Sequence, residues 1–94
     1  MTTQRRATNG TFSATGQSDP VFGRSLHVRM TFAGTATVAI EQLDPSSGSW
    51  IPVESYTATP DPNPVIAEDI SEFSWRLNCT AYTDNVTYTM IATP

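Results

Sequence analysis

The chain has 94 residues, of which 15% are charged, with no lysine, five arginines and a formal net charge of −4. That length makes one domain, and the acidic balance excludes a phosphate-backbone binder, which needs a basic stripe. No apolar run approaches the roughly 20 residues of a membrane-spanning helix, and Cys79, the single cysteine, excludes an internal disulfide.

Residues 1–9 are polar and carry Arg5-Arg6, and the pattern predicts an extended arm ahead of a domain over 10–94. The opening run MTTQRRATNGTF holds no apolar signal core, so Sec-type secretion is not expected. Gly10–Gln17 reads as a strand of low apolar content, and Asp19-Pro20 marks a turn. Arg24–Phe32 alternates sharply. Leu26, Val28, Met30 and Phe32 share one face, and Ser25, His27, Arg29 and Thr31 the other. Ala33-Gly34-Thr35 turns the chain into a strand over Ala36–Leu43, with Val38 and Ile40 inward.

The stretch EQLDPSSGSWIPV then reverses the chain. Asp44-Pro45 opens the turn, and Gly48 is placed to supply a positive φ. Trp50–Tyr56 returns as a strand, and Pro52 within it predicts a sheet edge or a bulge. Thr57–Pro64 is a proline-rich loop, and Val65–Ile70 is a short strand or one helical turn. Phe73–Tyr82 has the clearest alternation in the chain, which puts Trp75, Leu77 and Cys79 inside as packing residues. Thr83-Asp84-Asn85 turns into Val86–Thr93, with Val86, Tyr88, Met90 and Ala92 on one face.

About seven short strands with closely spaced turns predict an all-β fold, a single antiparallel β-sandwich of immunoglobulin-like size. A small barrel or jelly roll is the alternative. The Cys…Trp…Cys signature of antibody domains is absent. Fifteen threonines among few charges make a neutral, hydroxyl-rich surface suited to strands. Such a surface is less protected against association than a charged one.

Little in the chain points to catalysis. His27, the single histidine, lies on the outward face of its strand, with no nucleophile elbow or glycine-rich oxyanion loop in the sequence. Asp61, Asn63, Glu68 and Asp69 are the best calcium candidates, yet their spacing fits no known loop, and a solvated loop is the simpler reading. Glu41 and Glu54 flank the hairpin as a carboxylate pair of the kind glycosidases use, but a chain this short rarely builds a deep cleft. No enzyme, metal or cofactor is expected. Among the aromatics, Trp75 and Tyr88 belong to the core. Trp50 starts a strand directly after a turn. Together with Tyr56 or Tyr82 it would make a carbohydrate-stacking platform.

Two segments carry a family resemblance. The run from Phe32 through Gly34 and Val38 to Glu41 leads into a polar turn, Trp50 and Val53. Ser74-Trp75-Arg76-Leu77 then precedes a threonine-rich last strand. Over residues 30–94 the chain resembles small β-sandwich proteins of tailed bacteriophage virions, which serve as capsid decoration, head-fibre or tail-attachment proteins. The resemblance implies a non-enzymatic virion protein, made in the host bacterial cytoplasm. The implied role is a capsid decoration or cement protein bound to the assembled shell or to a tail component. Its partners would be phage capsid or tail proteins, or further copies of itself. Arg5, Arg6 and Phe12 are the expected contacts from the arm, with Trp50 beside them on the hairpin. The alternative is a carbohydrate-binding adhesive module on a virion or cell surface, using Trp50. A third reading, an immunoglobulin-like domain of a bacterial surface protein, is disfavoured by the N-terminal sequence.

Overall fold

The structure is a computed structural model that describes residues 5–58, 65–66 and 72–93. Nine strands form in these segments: β1 (Ala7–Phe12), β2 (Gly16–Gln17), β3 (Val21–Gly23), β4 (Ser25–Phe32), β5 (Ala36–Leu43), β6 (Trp50–Tyr56), β7 (Val65–Ile66), β8 (Phe73–Tyr82) and β9 (Val86–Thr93). They make two antiparallel sheets. The front sheet runs β1-β9-β4-β7, and the back sheet runs β2-β8-β5-β6 with β3 also on β8. The fold is therefore an all-β sandwich. Among the described residues, no helix is long and apolar enough to cross a membrane.

Alternation decides which face each strand buries, because successive side chains leave a strand on opposite sides. From β4, Leu26, Val28 and Met30 are buried; from β9, Val86, Tyr88, Met90 and Ala92. The back sheet supplies Val38 and Ile40 from β5, and Trp75, Leu77 and Cys79 from β8. These inner faces meet as one core, and the Trp75 indole donates Nε1–H to the Gly23 carbonyl at 3.0 Å. That bond satisfies the one polar atom of a side chain only 1% exposed. Gly23 is required for space. A Cβ there would stand 2.7 Å from the Thr93 carbonyl oxygen, where β3 crosses the end of β9.

The turns at Ala33–Thr35 and Thr83–Asn85 join strands of different sheets, so they are arches rather than hairpins. The two arches lie side by side and lock together. Thr35 donates its backbone N–H to the Asp84 carboxylate at 3.0 Å, and Asp84 donates its own to the Thr35 carbonyl at 2.9 Å. Tyr82 donates its hydroxyl to Asn85 Oδ1 at 2.5 Å. The hairpin between β5 and β6 stays within one sheet.

The expected strand over Gly10–Gln17 is corrected. β1 starts three residues earlier, pairs with β9 from Ala7 to Phe12, and yields to a bend before β2. Residues 7–9, read as part of an arm, are thus strand, and Thr8 is buried. Polar residues misled the reading because β1 is a sheet edge, which needs only alternate apolar contacts. β2 and β3 form one interrupted edge beside β8. Between them Ser18 donates its backbone N–H to the Leu77 carbonyl, and its hydroxyl accepts the Leu77 N–H, both at 2.9 Å. Asp19-Pro20, read as a turn, is the break between β2 and β3, and Pro20 has no N–H to donate there.

Both consequences of Pro52 are present. β6 is an edge strand, and its pairing shifts between Ile40↔Glu54 and Glu41↔Pro52, leaving Val53 as a bulge. A second shift, from Thr37↔Ala81 to Val38↔Cys79, leaves Thr80 unpaired in β8. The loop at 59–64 and most of the segment 65–70 lie outside the described residues. So do the calcium candidates Asp61, Asn63, Glu68 and Asp69.

Candidate functional site

A polar chain crosses the outer face of the back sheet. Register places Glu41 of β5 opposite Arg76 of β8, and Ala39 opposite Asn78. Arg76 donates Nε–H to Glu41 Oε1 at 2.7 Å, and Asn78 donates Nδ2–H to Glu41 Oε2 at 3.2 Å. Gln17 of β2 extends the chain, donating Nε2–H to Asn78 Oδ1 at 3.1 Å. At the other end the Arg76 guanidinium lies over the Trp50 ring, 4.4 Å from its centroid. Five side chains from four strands form one connected row: Trp50, Arg76, Glu41, Asn78 and Gln17.

Glu41 is the most unusual member. Its side chain is only 9% exposed, against 23% for Arg76. A buried carboxylate is costly unless paired and hydrogen-bonded, and here each oxygen accepts one bond. A hydrogen bond to an ionised group is worth about 1.5–3 kcal/mol, and a cation over an indole adds roughly 0.5–2 kcal/mol. The row therefore holds Arg76 in one orientation. Among the described residues, Nε is the one guanidinium nitrogen seen to donate to the protein, and no buried side-chain polar atom lacks a partner. The two Nη groups bond to no described residue, and the side chain stays partly exposed.

The turn beneath Trp50 is built by Asp44. Its carboxylate accepts the Ser46 backbone N–H at 3.0 Å and the Ser46 and Ser47 hydroxyls at 2.9 Å each. Those bonds, led by the Ser46 N–H, hold its pKa below the ordinary 3.8. Gly48 takes φ of 74°, the left-handed conformation expected there. Trp50 is half-buried, with one ring face under Arg76.

The expected aromatic platform is not assembled. Across the Val53 bulge β6 switches faces, so Tyr56 packs against the core while Trp50 lies outside. Tyr56 donates its hydroxyl to Glu54 at 3.2 Å, and burial first, then the Glu54 carboxylate, raises its pKa. Tyr82 belongs to the arch contact. Glu41 and Glu54 likewise fall on opposite faces and form no carboxylate pair.

One of the expected arm contacts is corrected. Phe12 is a core residue, 6% exposed, stacked on Tyr88 with ring centroids 4.8 Å apart. Its ring is committed to the core. Arg6 bonds within the chain, its Nη1 donating to the Phe22 carbonyl at 2.6 Å and to Glu72 at 3.0 Å. Arg5 lies 3.9 Å from Asp19, an exposed pair of little energetic weight. Through their carbonyls, Arg5 and Arg6 accept the Phe22 and Ala92 N–H groups at 2.8 and 2.7 Å, tying the segment to both sheets. Cys79 is buried, and burial raises its thiol pKa, which suits packing rather than reactivity.

The outer face of the front sheet is different in kind. Register lines up Thr11, Thr87 and Thr31 in one row, Asn9, Thr89 and Arg29 in the next, and Ala7, Ile91 and His27 in a third. Most of these side chains are exposed, including Ile91 at 46%. Among the described residues, no ion-pair partner faces Arg29. Sequence reasoning missed this face and the members Arg76, Asn78 and Gln17 of the back-sheet row. Threonine abundance was the available signal for the first; for the second there was none without register.

No family model matches the chain, and no curated protein matches it. Among solved structures it is similar to the crystal structure of PirA, with a TM-score of 0.57 and 16% identity, covering 96% of this chain and 95% of that one. At that identity the likeness shows a shared fold alone.

Proposed function

We propose that the chain is a non-enzymatic structural protein of a tailed-phage virion, a decoration or cement protein that docks on the shell or on a tail component. The observation that carries this reading is the outer face of the front sheet. It is a strand-built surface of aligned hydroxyls with exposed Ile91 between Ala7 and His27, and Arg29 one row away. Hydroxyls cost less to desolvate than charges, and an arginine with no ion-pair partner among the described residues favours an acidic or carbonyl-rich partner. Stabilisation follows by mass action, because a protein that binds only the assembled particle favours assembly.

The other exposed apolar residues, Ile51 at 48% and Val53 at 45%, lie on β6. Pro52 and the bulge interrupt that edge, which fits a strand guarded against pairing. Docking is therefore assigned to the front face. The test is co-sedimentation of the purified chain with particles that lack it. Arg29→Glu with Ile91→Asp, at exposed positions that leave the core intact, is expected to lower occupancy at least tenfold. Equal occupancy by this variant and the wild type would overturn the assignment.

A further inference from the structure

The geometry points to a second binding site on the opposite sheet, centred on Trp50, Arg76 and Glu41, and suited to a neutral saccharide. The site is separate from the proposed docking face, so it stands or fails independently of the virion reading.

The argument rests on what the row leaves unused. Glu41 clamps Arg76 through Nε alone, at 2.7 Å, and Trp50 fixes the guanidinium plane at 4.4 Å. The Nη groups, bonded to no described residue on a partly exposed side chain, are donors already oriented, so binding does not have to order a long side chain. Glu41 is nearly covered, and its two oxygens are taken by Arg76 and Asn78, so the accessible acceptor of the row is the amide oxygen of exposed Gln17. Donors and an amide acceptor thus lie along one row that ends on a half-buried indole.

That combination selects a ligand class by charge and by bonding. The Arg76–Glu41 pair is neutral as a unit. An anion would be drawn to the arginine but repelled by the carboxylate bonded to it, and a cation would meet the reverse. A sugar hydroxyl suffers neither penalty, because it accepts from Nη and brings no charge to meet the carboxylate. The C–H face of a pyranose suits the part of the Trp50 ring that Arg76 leaves open. Gln17 and Asn78 extend the row with amides. The surface is shallow, so affinity in the millimolar range per sugar unit is expected, about −4 kcal/mol at a Kd of 1 mM.

The full chain is to be titrated with neutral methyl hexosides and N-acetylhexosaminides, and with sialic and uronic acids, following the indole N–H signals by NMR. Trp75 is 1% exposed and bonded to Gly23, so it serves as an internal control of folding. The expected result is a saturable shift of the Trp50 signal with at least one neutral sugar, and none with Trp75. Arg76→Lys keeps the charge but loses the planar fork, and is expected to weaken binding at least tenfold. Trp50→Leu, at a position outside the core, provides a second variant with the same expected loss. Several outcomes would overturn the site: no saturable shift with any neutral sugar at millimolar concentration, tighter binding of the acidic sugars, or binding unchanged in a folded variant.

Discussion

At the residue scale, Glu41 decides the character of the back sheet. An outward position on a central strand is usually polar and wet, yet this carboxylate is nearly covered by Arg76 and Asn78. Truncating it leaves Arg76 without its charged acceptor. Glu41→Ala is expected to lower unfolding free energy by about 1–3 kcal/mol, the cost of stranding a partly buried partner. Arg76 retains some exposure and can turn toward water, which argues for the lower part of that range. Urea unfolding measures the change. Adding Arg76→Ala should cost less than the sum of the single changes, since both remove one interaction. A loss of only a few tenths of a kcal/mol for Glu41→Ala would contradict the clamp. Trp50 was recognisable as a residue to watch from its place after the turn. Its partner was not, because Arg76 is 26 residues away in sequence and meets it only through the β5–β8 and β5–β6 registers.

At the scale of elements, alternation was the readable signal. Strands β5, β6, β8 and β9 lie where the sequence places them, residue for residue, and the core holds Val38 and Ile40 of β5, Trp75, Leu77 and Cys79 of β8, and the face named for β9. The failures are edge segments. β1 and the short β2 and β3 bury few side chains, so their periodicity is faint, and backbone pairing rather than apolar content holds them. The bulge at Thr80 shifts the β5–β8 register by one residue, and nothing in the local sequence marks it. Turn composition also does not separate a hairpin from an arch, since both need the same reversal; the locked contacts between Thr35 and Asp84 form only in the folded chain. Pro52 is the element-level case with the most direct consequence. It removes a donor from the exposed edge of the back sheet and, with the bulge, guards that edge. Pro52→Thr is expected to raise self-association, read as a concentration-dependent rise in sedimentation coefficient. A monomeric variant at all concentrations would show that the bulge alone protects the edge.

At the scale of the whole molecule, the two outer faces differ in chemistry while sharing one core. The front face repeats hydroxyls along β1, β9 and β4 around Ile91, and the back face carries one neutral polar row beside an indole. A 15% charge content with a surplus of threonine foreshadowed a surface suited to association. Composition could not say which face would carry it, because that depends on the parity of each strand once paired. The arm was the least well read part. Arg5 and Arg6 tie the N-terminal segment to β3 and β9 within the chain, so removing residues 1–9 would unsettle the sandwich as well as any contact. The most direct measurement is quantitative mass spectrometry of gradient-purified virions from a lysate of the host in which the gene is expressed. A virion decoration or cement protein is expected to copurify with the particles at a fixed ratio to the major shell or tail protein. Its absence from particles, with the chain abundant in the soluble lysate, would contradict the proposed role.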